Sequence, residues 1–127
     1  MNLYIGGCAQ GKLNYVLKRT GISSKQVAEG EKWLPEDELK EVKIINHFHL
    51  LVKRLIKDGG NPESLAEDLI IRCPQLMIIS DEVGNGIVPM SKEEREYRER
   101  LGRILCSLAA RAERVERIIC GMGQRIK

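Results

Sequence analysis

Near its amino terminus the chain reads Leu3-Tyr4-Ile5-Gly6-Gly7-Cys8-Ala9-Gln10-Gly11-Lys12, a short apolar run that leads into a glycine-rich loop. The apolar run predicts a strand that enters a turn. The following segment, Lys12–Thr20, has apolar residues at helical spacing, and Gly21 is its expected stop. The loop Gly6–Lys12 therefore fits the pattern G-x-x-x-x-G-K between a strand and a helix, which is typical of an α/β nucleotide-binding fold.

The glycine loop has a specific physical use in binding phosphates. Glycines let successive backbone N–H groups turn toward phosphate oxygens, and the amino end of the next helix adds a partial positive charge. Lys12 can then reach the outer phosphates as a point charge. The residues that we expect to bind nucleotide are Gly6, Gly7, Cys8, Ala9, Gln10, Gly11, Lys12 and Leu13. The other interpretation is an ordinary tight turn followed by a surface lysine.

The motif lacks the residues that usually hold a magnesium ion beside the phosphates. The position after the lysine should be Ser or Thr, and here it is Leu13, which has no oxygen to offer. A second expected ligand is an Asp that ends a neighbouring strand. The best candidate strand end is Ile44-Ile45, and the next residue is the neutral Asn46. The sequence thus predicts a loop that holds phosphates well and magnesium poorly, and it assigns no residue as a metal ligand.

Predicted strands and helices alternate along the rest of the chain. We expect strands at Val42–Ile45, Leu76–Ile79 and Val115–Cys120. We expect helices at Pro35–Val42, at Phe48–Ile56, after the cap Asn61 and after the capping box Ser91–Glu94. The chain is expected to end in an extended segment at Arg125–Lys127. This alternation predicts a three-layer α/β fold with a mostly parallel sheet, similar to P-loop NTPases. At 127 residues, the chain is expected to form one compact domain, 1–127.

Composition excludes several other classes of protein. The net charge is only +3 and aromatic residues are 4% of the chain, so a stacking platform for nucleic acid is not expected. No apolar run approaches the roughly 18 residues of a membrane span, and the start of the chain does not resemble a signal peptide, so a cytoplasmic location is the expectation. The four cysteines, Cys8, Cys73, Cys106 and Cys120, are too far apart for a zinc knuckle.

A second loop follows the predicted strand Leu76–Ile79 and reads Asp81-Glu82-Val83-Gly84-Asn85-Gly86-Ile87-Val88-Pro89. With Arg95-x-Tyr97-Arg98, Gly102-Arg103 and the closing Cys120–Lys127, this loop resembles the adenosylcobinamide kinase/adenosylcobinamide-phosphate guanylyltransferase family. The resemblance is dense over Leu76–Lys127 and good over Met1–Thr20. Between these segments it is weak, apart from Ile44–Leu55.

The resemblance implies a cytoplasmic enzyme of cobalamin biosynthesis, usually a homotrimer, whose substrates are a nucleotide and a corrinoid. Such enzymes phosphorylate the aminopropanol hydroxyl of adenosylcobinamide with ATP or GTP, with Mg²⁺ expected for catalysis. They then transfer GMP from GTP through an enzyme histidine to the new phosphate. Carried over by position, Lys12 would act on the nucleotide phosphates, and Glu82, with Gly84 and Gly86, would shape the opposite side of the site. Lys12 and Glu82 are therefore the candidate catalytic residues.

The chain also departs from the family's pattern. The segment Gly21–Lys43 is shorter than usual and has no histidine, although the family keeps its guanylylated histidine there; Asp81 stands where Asn is usual. Of the two family reactions, we expect this chain to retain the kinase reaction rather than guanylyl transfer. Phosphoryl transfer depends on positioning and charge and not on a covalent nucleophile. Two alternatives stay open. One is a degenerate homologue that binds nucleotide or corrinoid without turnover, and the other is a kinase for a different small hydroxylated substrate.

The two histidines of the chain, His47 and His49, follow the predicted strand that ends near Asn46. A nucleophile or a general base could act at this position, near the glycine loop. The other interpretation is a pair of helix-start or core histidines with satisfied hydrogen bonds. Candidates for a second part of the site are Asn46, His47, His49, Asp81, Gly84 and Gly86.

Overall fold

A computed structural model describes residues 1–34, 37, 39–83 and 91–127. In chain order the elements are β1 (Asn2–Gly6), α1 (Lys12–Thr20), a short 3₁₀ turn (Ser24–Gln26), β2 (Val27–Glu29), β3 (Ile44–Asn46), α2 (Phe48–Lys57), α3 (Pro62–Arg72), β4 (Met77–Asp81), α4 (Lys92–Arg111), β5 (Arg114–Ile119) and β6 (Met122–Arg125). Strands and helices alternate, as the sequence predicts.

The six strands form one sheet in the order β2-β3-β4-β1-β5-β6. The pairs from β2 to β5 are parallel, and only β6 runs antiparallel, against β5. β1 is therefore a central strand, flanked by β4 and β5. Its register with β4 pairs Gly6 with Asp81. The start of the glycine loop and the carboxyl end of β4 consequently lie side by side at the same edge of the sheet.

Helices cover both faces of the sheet, and alternate strand residues point into the two layers. Leu3 and Ile78 belong to the larger core cluster, which includes residues of α2, α3 and α4. Tyr4 and Ile79 belong to the smaller cluster, which includes Val16 of α1. Because strands buried on both faces read as continuous apolar runs, the run Leu76–Ile79 predicted this arrangement correctly. The fold is a three-layer α/β fold like that of P-loop NTPases.

Two predicted helix caps are confirmed by hydrogen bonds. The Asn61 side chain accepts from the N–H of Ser64, and the Ser91 hydroxyl accepts from the N–H of Glu94. Each bond satisfies a backbone donor that the first turn of a helix leaves without a partner. α1 begins differently, at Gly11, whose φ of 80° lies in the left-handed region that suits glycine.

Two sequence expectations need correction, and a third lies partly outside the described residues. Strand β2 lies in Gly21–Lys43 and was not predicted, because only its pairing with β3, Val27 beside Ile44, identifies it as a strand. The predicted terminal stub Arg125–Lys127 instead contains the end of strand β6, which a tight turn brings back against β5. The helix predicted at Pro35–Val42 includes residues 35, 36 and 38, which lie outside the described residues.

Among the described residues, no helix combines the length and the apolar character needed to cross a bilayer.

Candidate active site

The glycine loop connects the end of β1 to the start of α1, as predicted. Lys12 is the first residue of α1 and is only 7% exposed. Its ammonium donates to the carbonyl of Gly7 at 2.6 Å, so the side chain folds back over the loop. A Cβ atom at Gly6 would lie 2.5 Å from the carbonyl oxygen of Ile118, and glycine is therefore required for β1 and β5 to pack so closely here. The loop therefore folds around a largely buried ammonium group.

The strand end beside Lys12 is that of β4. The Asp81 carboxylate lies 2.6 Å from the Lys12 ammonium, and both side chains are largely buried. The expectation that the neighbouring strand ends at Asn46 is wrong, because β3 is separated from β1 by β4. The sequence pointed to the end of β3 because strand order is a property of the folded sheet and cannot be read from a single strand. The structure places an anionic residue, Asp81, at the position where an acidic metal ligand was sought.

His49 lies in the first turn of α2 and contacts the same carboxylate. Its Nδ1 accepts the backbone N–H of Asp81 at 3.1 Å, and its Nε2 lies 3.5 Å from Asp81 Oδ2. Because Nδ1 is an acceptor here, we assign the ring proton of the neutral imidazole to Nε2. Burial lowers the pKa of His49, and the nearby Asp81 charge opposes that shift. The interpretation of a buried histidine with satisfied hydrogen bonds therefore fits His49.

His47 has a different environment. It is the residue before α2, with a left-handed φ of 53°, and its side chain is 42% exposed. Its Nδ1 lies 2.9 Å from a carboxylate oxygen of Glu29, at the end of β2. The Asn46 amide donates to the same carboxylate at 2.9 Å. Strand β2 was not predicted, and the part played by Glu29 was therefore missed as well.

Gln10 anchors the glycine loop to the end of β5. Its side-chain oxygen accepts the N–H of Cys120 at 2.7 Å, and its backbone carbonyl accepts the N–H of Gly121 at 2.8 Å. The neighbouring Cys8 and Ala9 are exposed in the loop, where a ligand can reach them. The sequence placed Gln10 in the loop but held no signal for its contacts with a turn more than a hundred residues away.

Glu82 follows Asp81 and lies against the other side of the loop. Its N–H donates to the carbonyl of Gly6 at 2.8 Å. Its carboxylate forms two parallel bonds with the guanidinium of Arg117, at 2.9 and 3.1 Å. Arg117 was not among the predicted site residues. Gly84 and Gly86, predicted to shape the site with Glu82, lie outside the described residues.

The buried carboxylate of Glu116 links helix α1 to strand β5. Glu116 of β5 accepts from the Tyr15 hydroxyl at 2.6 Å and from the Arg114 guanidinium at 2.9 Å. Burial raises the pKa of Glu116, but these hydrogen bonds outweigh that effect and hold the pKa below its ordinary value. The charged Glu116 therefore fixes the helix that carries Lys12 to the sheet.

The described residues thus bring together Lys12, Asp81 and His49 by direct contact, with His47 next to His49. The rings of His47 and His49 lie edge to face with their centroids 5.6 Å apart. Within the described part of the chain, no group of three or more His, Cys, Asp or Glu residues is arranged to hold a metal ion by itself. The arrangement offers a cradle for phosphates with a cation, a carboxylate and two imidazoles along one edge.

Residues 38–126 match the family model for cobinamide kinase / cobinamide phosphate guanyltransferase. The match covers well over half of the chain, and the glycine loop Gly6–Lys12 precedes it. The resemblance over Met1–Thr20 is therefore outside the matched region.

Two curated relatives share part of the sequence. A bifunctional adenosylcobalamin biosynthesis protein, CobU, of Escherichia coli (strain K12) is 42% identical over 57 residues, which are 44% of this chain and 32% of the relative. The CobU protein of Salmonella typhimurium (strain LT2) is 40% identical over 57 residues, with the same coverage. The alignment therefore spans about a third of the length of these relatives. On the strength of the family match, the chain belongs to the cobinamide kinase / cobinamide phosphate guanyltransferase family.

Proposed function

We propose that the chain binds ATP or GTP at the glycine loop and transfers the terminal phosphoryl group to the aminopropanol hydroxyl of adenosylcobinamide. The observation that carries this proposal is the buried ammonium of Lys12, held over the loop by Gly7 and paired with Asp81. The ammonium is thereby held beside the loop N–H groups, where it can exchange its carboxylate partner for a phosphate oxygen. A polyphosphate is the ligand that this loop geometry favours.

Each group in the cradle has a role in the proposed transfer. The loop N–H groups and the amino end of α1 bind phosphate oxygens, and the Lys12 ammonium stabilises the charge that spreads over the transferred group. When nucleotide enters, Lys12 exchanges the Asp81 carboxylate for a phosphate oxygen. Asp81 is then released to act on a bound cation or on the attacking hydroxyl. Because this chemistry relies on position and charge, it needs no covalent intermediate.

The residues present fit a magnesium ion that is held mainly by the phosphates. Leu13 has no hydroxyl to offer, but Asp81 supplies one carboxylate at the edge of the loop. Magnesium usually keeps several waters and takes one or two protein carboxylates besides substrate phosphates. When bound, the ion would neutralise charge on the outer phosphates. We therefore assign Asp81, and neither Asn46 nor Leu13, as the residue that would hold it.

Glu82 is proposed to shape the site rather than to carry the phosphoryl transfer. Its ion pair with Arg117 and its bond to Gly6 hold the start of the second loop beside the phosphates. Gly84 and Gly86 extend that loop in sequence. The cytoplasmic location and the homotrimer rest on family resemblance and stay predictions.

The experiment that tests the kinase proposal is a product assay resolved by mass. Purified protein is mixed with adenosylcobinamide, magnesium and either ATP or GTP, and the products are separated by HPLC. The expected product has the mass of adenosylcobinamide phosphate. Lys12→Ala should abolish it, whereas Lys18→Ala, the same change at an exposed lysine on the same helix, should not. Product formation unchanged in Lys12→Ala would overturn the assignment of the loop. Phosphorylation of another alcohol, with adenosylcobinamide inert, would correct the acceptor.

Leu13 favours one second candidate function, which is nucleotide binding without turnover. Leu13 stands where a hydroxyl normally orients magnesium. Without that hydroxyl the loop can still hold phosphates, but the arrangement for catalysis is weaker. The two functions differ in their need for the ion. A binding protein is expected to bind nucleotide equally well in EDTA and in magnesium and to form no product, whereas the proposed kinase forms product only when magnesium is present.

A further inference from the structure

Arg117 and Glu82 form an ion pair that spans the end of strand β1. β1 lies between β5 and β4, and its register places Ile5 beside both Arg117 and Ser80. Residues that stand in register point to the same face of a sheet. The Arg117 guanidinium reaches the carboxylate of Glu82, two residues beyond Ser80. The side chain of Arg117 therefore passes over the end of β1, where the glycine loop begins.

Two cations thus approach the first residue of the glycine loop, one from each face of the sheet. A Cβ atom at Gly6 would lie 3.4 Å from Cδ of Lys12, and the positions of Ile5 and Gly6 point to opposite faces. Lys12 lies on the face covered by α1, and Arg117 lies on the other face. The N–H of Glu82 donates to the Gly6 carbonyl at 2.8 Å, which ties the ion pair to the loop. We therefore expect a phosphate in the loop to have an ammonium on one side and a guanidinium on the other.

The guanidinium of Arg117 keeps donors for a second anion. Its Nε and Nη2 both donate to the Glu82 carboxylate, at 2.9 and 3.1 Å. Two parallel bonds of this kind fix the plane of the group. The N–H groups on Nη1 have no partner among the described residues, and the side chain is 44% exposed. Glu82 therefore orients a cation whose remaining donors are open to a ligand.

We propose that Arg117 is a catalytic residue of the phosphoryl transfer, a role that rests on the kinase reaction proposed above. The acceptor hydroxyl oxygen forms a bond to the γ-phosphorus, and the bond from that phosphorus to the β,γ-bridging oxygen breaks. The nucleoside diphosphate leaves with the electron pair, and the hydroxyl proton passes to water. The Nη1 N–H groups of Arg117 donate to oxygens of the transferred group and stabilise the charge that spreads over it in the transition state.

This role fits a chain that has few candidate ligands for magnesium. Leu13 offers the ion no hydroxyl and Asn46 offers it no charge. A fixed guanidinium supplies positive charge beside the same phosphates, and its planar fork matches the geometry of phosphate oxygens. An arginine from the same chain has this function in some nucleotide hydrolases. Glu82 is then a positioning residue, because it orients Arg117 without touching the transferred group.

The test measures rate, nucleotide affinity and chemical rescue on the full chain. Arg117→Ala should lower kcat for phosphorylation of adenosylcobinamide about 10³-fold, with little change in the affinity for ATP measured by titration calorimetry. Arg117→Lys should recover little of the rate, because an ammonium lacks the planar fork. Guanidinium chloride at millimolar concentration should restore part of the rate to Arg117→Ala, since the free cation can occupy the vacated position.

Two further variants separate catalysis from a general effect of charge. Arg111→Ala is the matched control, because Arg111 is 43% exposed and pairs with Glu67, but ends α4 at the opposite edge of the sheet. Neither this change nor added guanidinium should alter its rate. The double variant Arg117→Ala/Glu82→Gln also removes the negative charge that Arg117 offsets, and it should remain as slow as Arg117→Ala.

A transition-state analogue gives a measurement that does not depend on turnover. ADP with aluminium fluoride and magnesium imitates the transferred phosphoryl group between donor and acceptor. In the presence of adenosylcobinamide, the unmodified protein should bind this complex more tightly than ADP alone. Arg117→Ala should bind ADP normally and lose the additional affinity, because Arg117 acts on the transition state and not on the bound nucleotide.

The outcomes separate this proposal from the proposed kinase. Phosphorylation at the unmodified rate by Arg117→Ala, or recovery of that rate in the double variant, would overturn the role of Arg117 and leave the kinase intact. A parallel loss of ATP affinity and rate without rescue by guanidinium would overturn it equally, because Arg117 would then act on binding or folding. Unmodified protein that binds ATP but phosphorylates no alcohol would overturn the kinase, and this inference with it.

Discussion

Lys12 and Asp81 form a 2.6 Å ion pair that joins the first residue of α1 to the last residue of β4. The pair lies beside the glycine loop that we propose binds phosphate, because the ammonium also donates to Gly7. A phosphate that enters the loop must therefore compete with a carboxylate for the same cation. If the proposed function holds, this competition should give Asp81 opposite effects on nucleotide affinity in the presence and absence of magnesium.

Asp81→Asn is expected to change nucleotide affinity in opposite directions under the two conditions. In EDTA, removal of the carboxylate frees Lys12 and lessens repulsion of the phosphates, so affinity for ATP should rise by roughly tenfold. In magnesium, the variant lacks the carboxylate proposed to hold the ion, so affinity and product formation should fall. Isothermal titration in the two buffers measures both changes.

Asp68→Asn is the matched control for this experiment, because Asp68 is an exposed acid on α3 that pairs with Arg72. It makes the same change of charge away from the loop and should alter affinity little in either buffer. A decrease in affinity for Asp81→Asn in EDTA would contradict the competition between carboxylate and phosphate.

The buried Glu116 should make the stability of the protein depend on pH. Its pKa is lower in the folded protein than in the unfolded chain, because hydrogen bonds to its charged form outweigh the effect of burial. A group of this kind stabilises the fold above its unfolded pKa, near 4.5, and that stability is lost as the pH falls through the folded value. Urea unfolding between pH 7 and pH 3 should show this loss, and Glu116→Gln should show a smaller change over the same range. An identical pH dependence for the two proteins would assign the acid sensitivity to other carboxylates.

Local patterns in the sequence were sufficient for the elements around Lys12. The glycine loop, the spacing of Leu13, Val16 and Leu17, and the stop at Gly21 are all set within a few residues of one another. The caps Asn61 and Ser91 could be predicted from the sequence for the same reason, since each capping hydrogen bond joins residues three positions apart. Such contacts leave a periodic or positional signal that one sequence can reveal.

The rest of the site depends on contacts between distant segments. Asp81 becomes the partner of Lys12 only because β4 pairs with β1, and Gln10 meets Cys120 only because β5 lies on the other side. The short strand β2 carries Glu29 and has too few residues to show an alternating pattern. The sequence named Asp81, His47 and Gln10 as site residues, but strand order was needed to assign their partners.

Gly123→Ala is expected to destabilise the protein because it disturbs the contacts that hold α1 to the sheet. A Cβ atom at this position would lie 2.2 Å from the Tyr15 hydroxyl oxygen, so the ring would have to move and its bond to Glu116 would be lost or lengthened. We expect a loss of about 1–3 kcal/mol in the free energy of unfolding. Gly102→Ala is the control, because its Cβ would meet nothing within 4 Å and it lies inside α4. That change should stabilise the protein by about 0.5–1 kcal/mol. Chemical denaturation of both variants gives the comparison, and equal effects would contradict the role of Gly123.

Gln10 is expected to hold the carboxyl end of β5 against the glycine loop, and amide exchange can report this directly. Gln10→Ala removes the acceptor of the Cys120 N–H. A lost hydrogen bond is worth about 1 kcal/mol, so exchange at Cys120 should quicken by about fivefold, provided that this amide exchanges by local opening.

Gln10→Glu separates the anchoring role of Gln10 from an effect on phosphate binding. Glutamate keeps a side-chain oxygen that can accept the Cys120 N–H, so exchange at Cys120 should stay slow. Its negative charge lies in the loop that would receive phosphates, so affinity for ATP should fall by about tenfold or more. Fast exchange in both variants would mean that shape rather than the acceptor oxygen holds this turn. Slow exchange in Gln10→Ala would mean that the backbone bond from Gly121 to Gln10 is sufficient to anchor the loop.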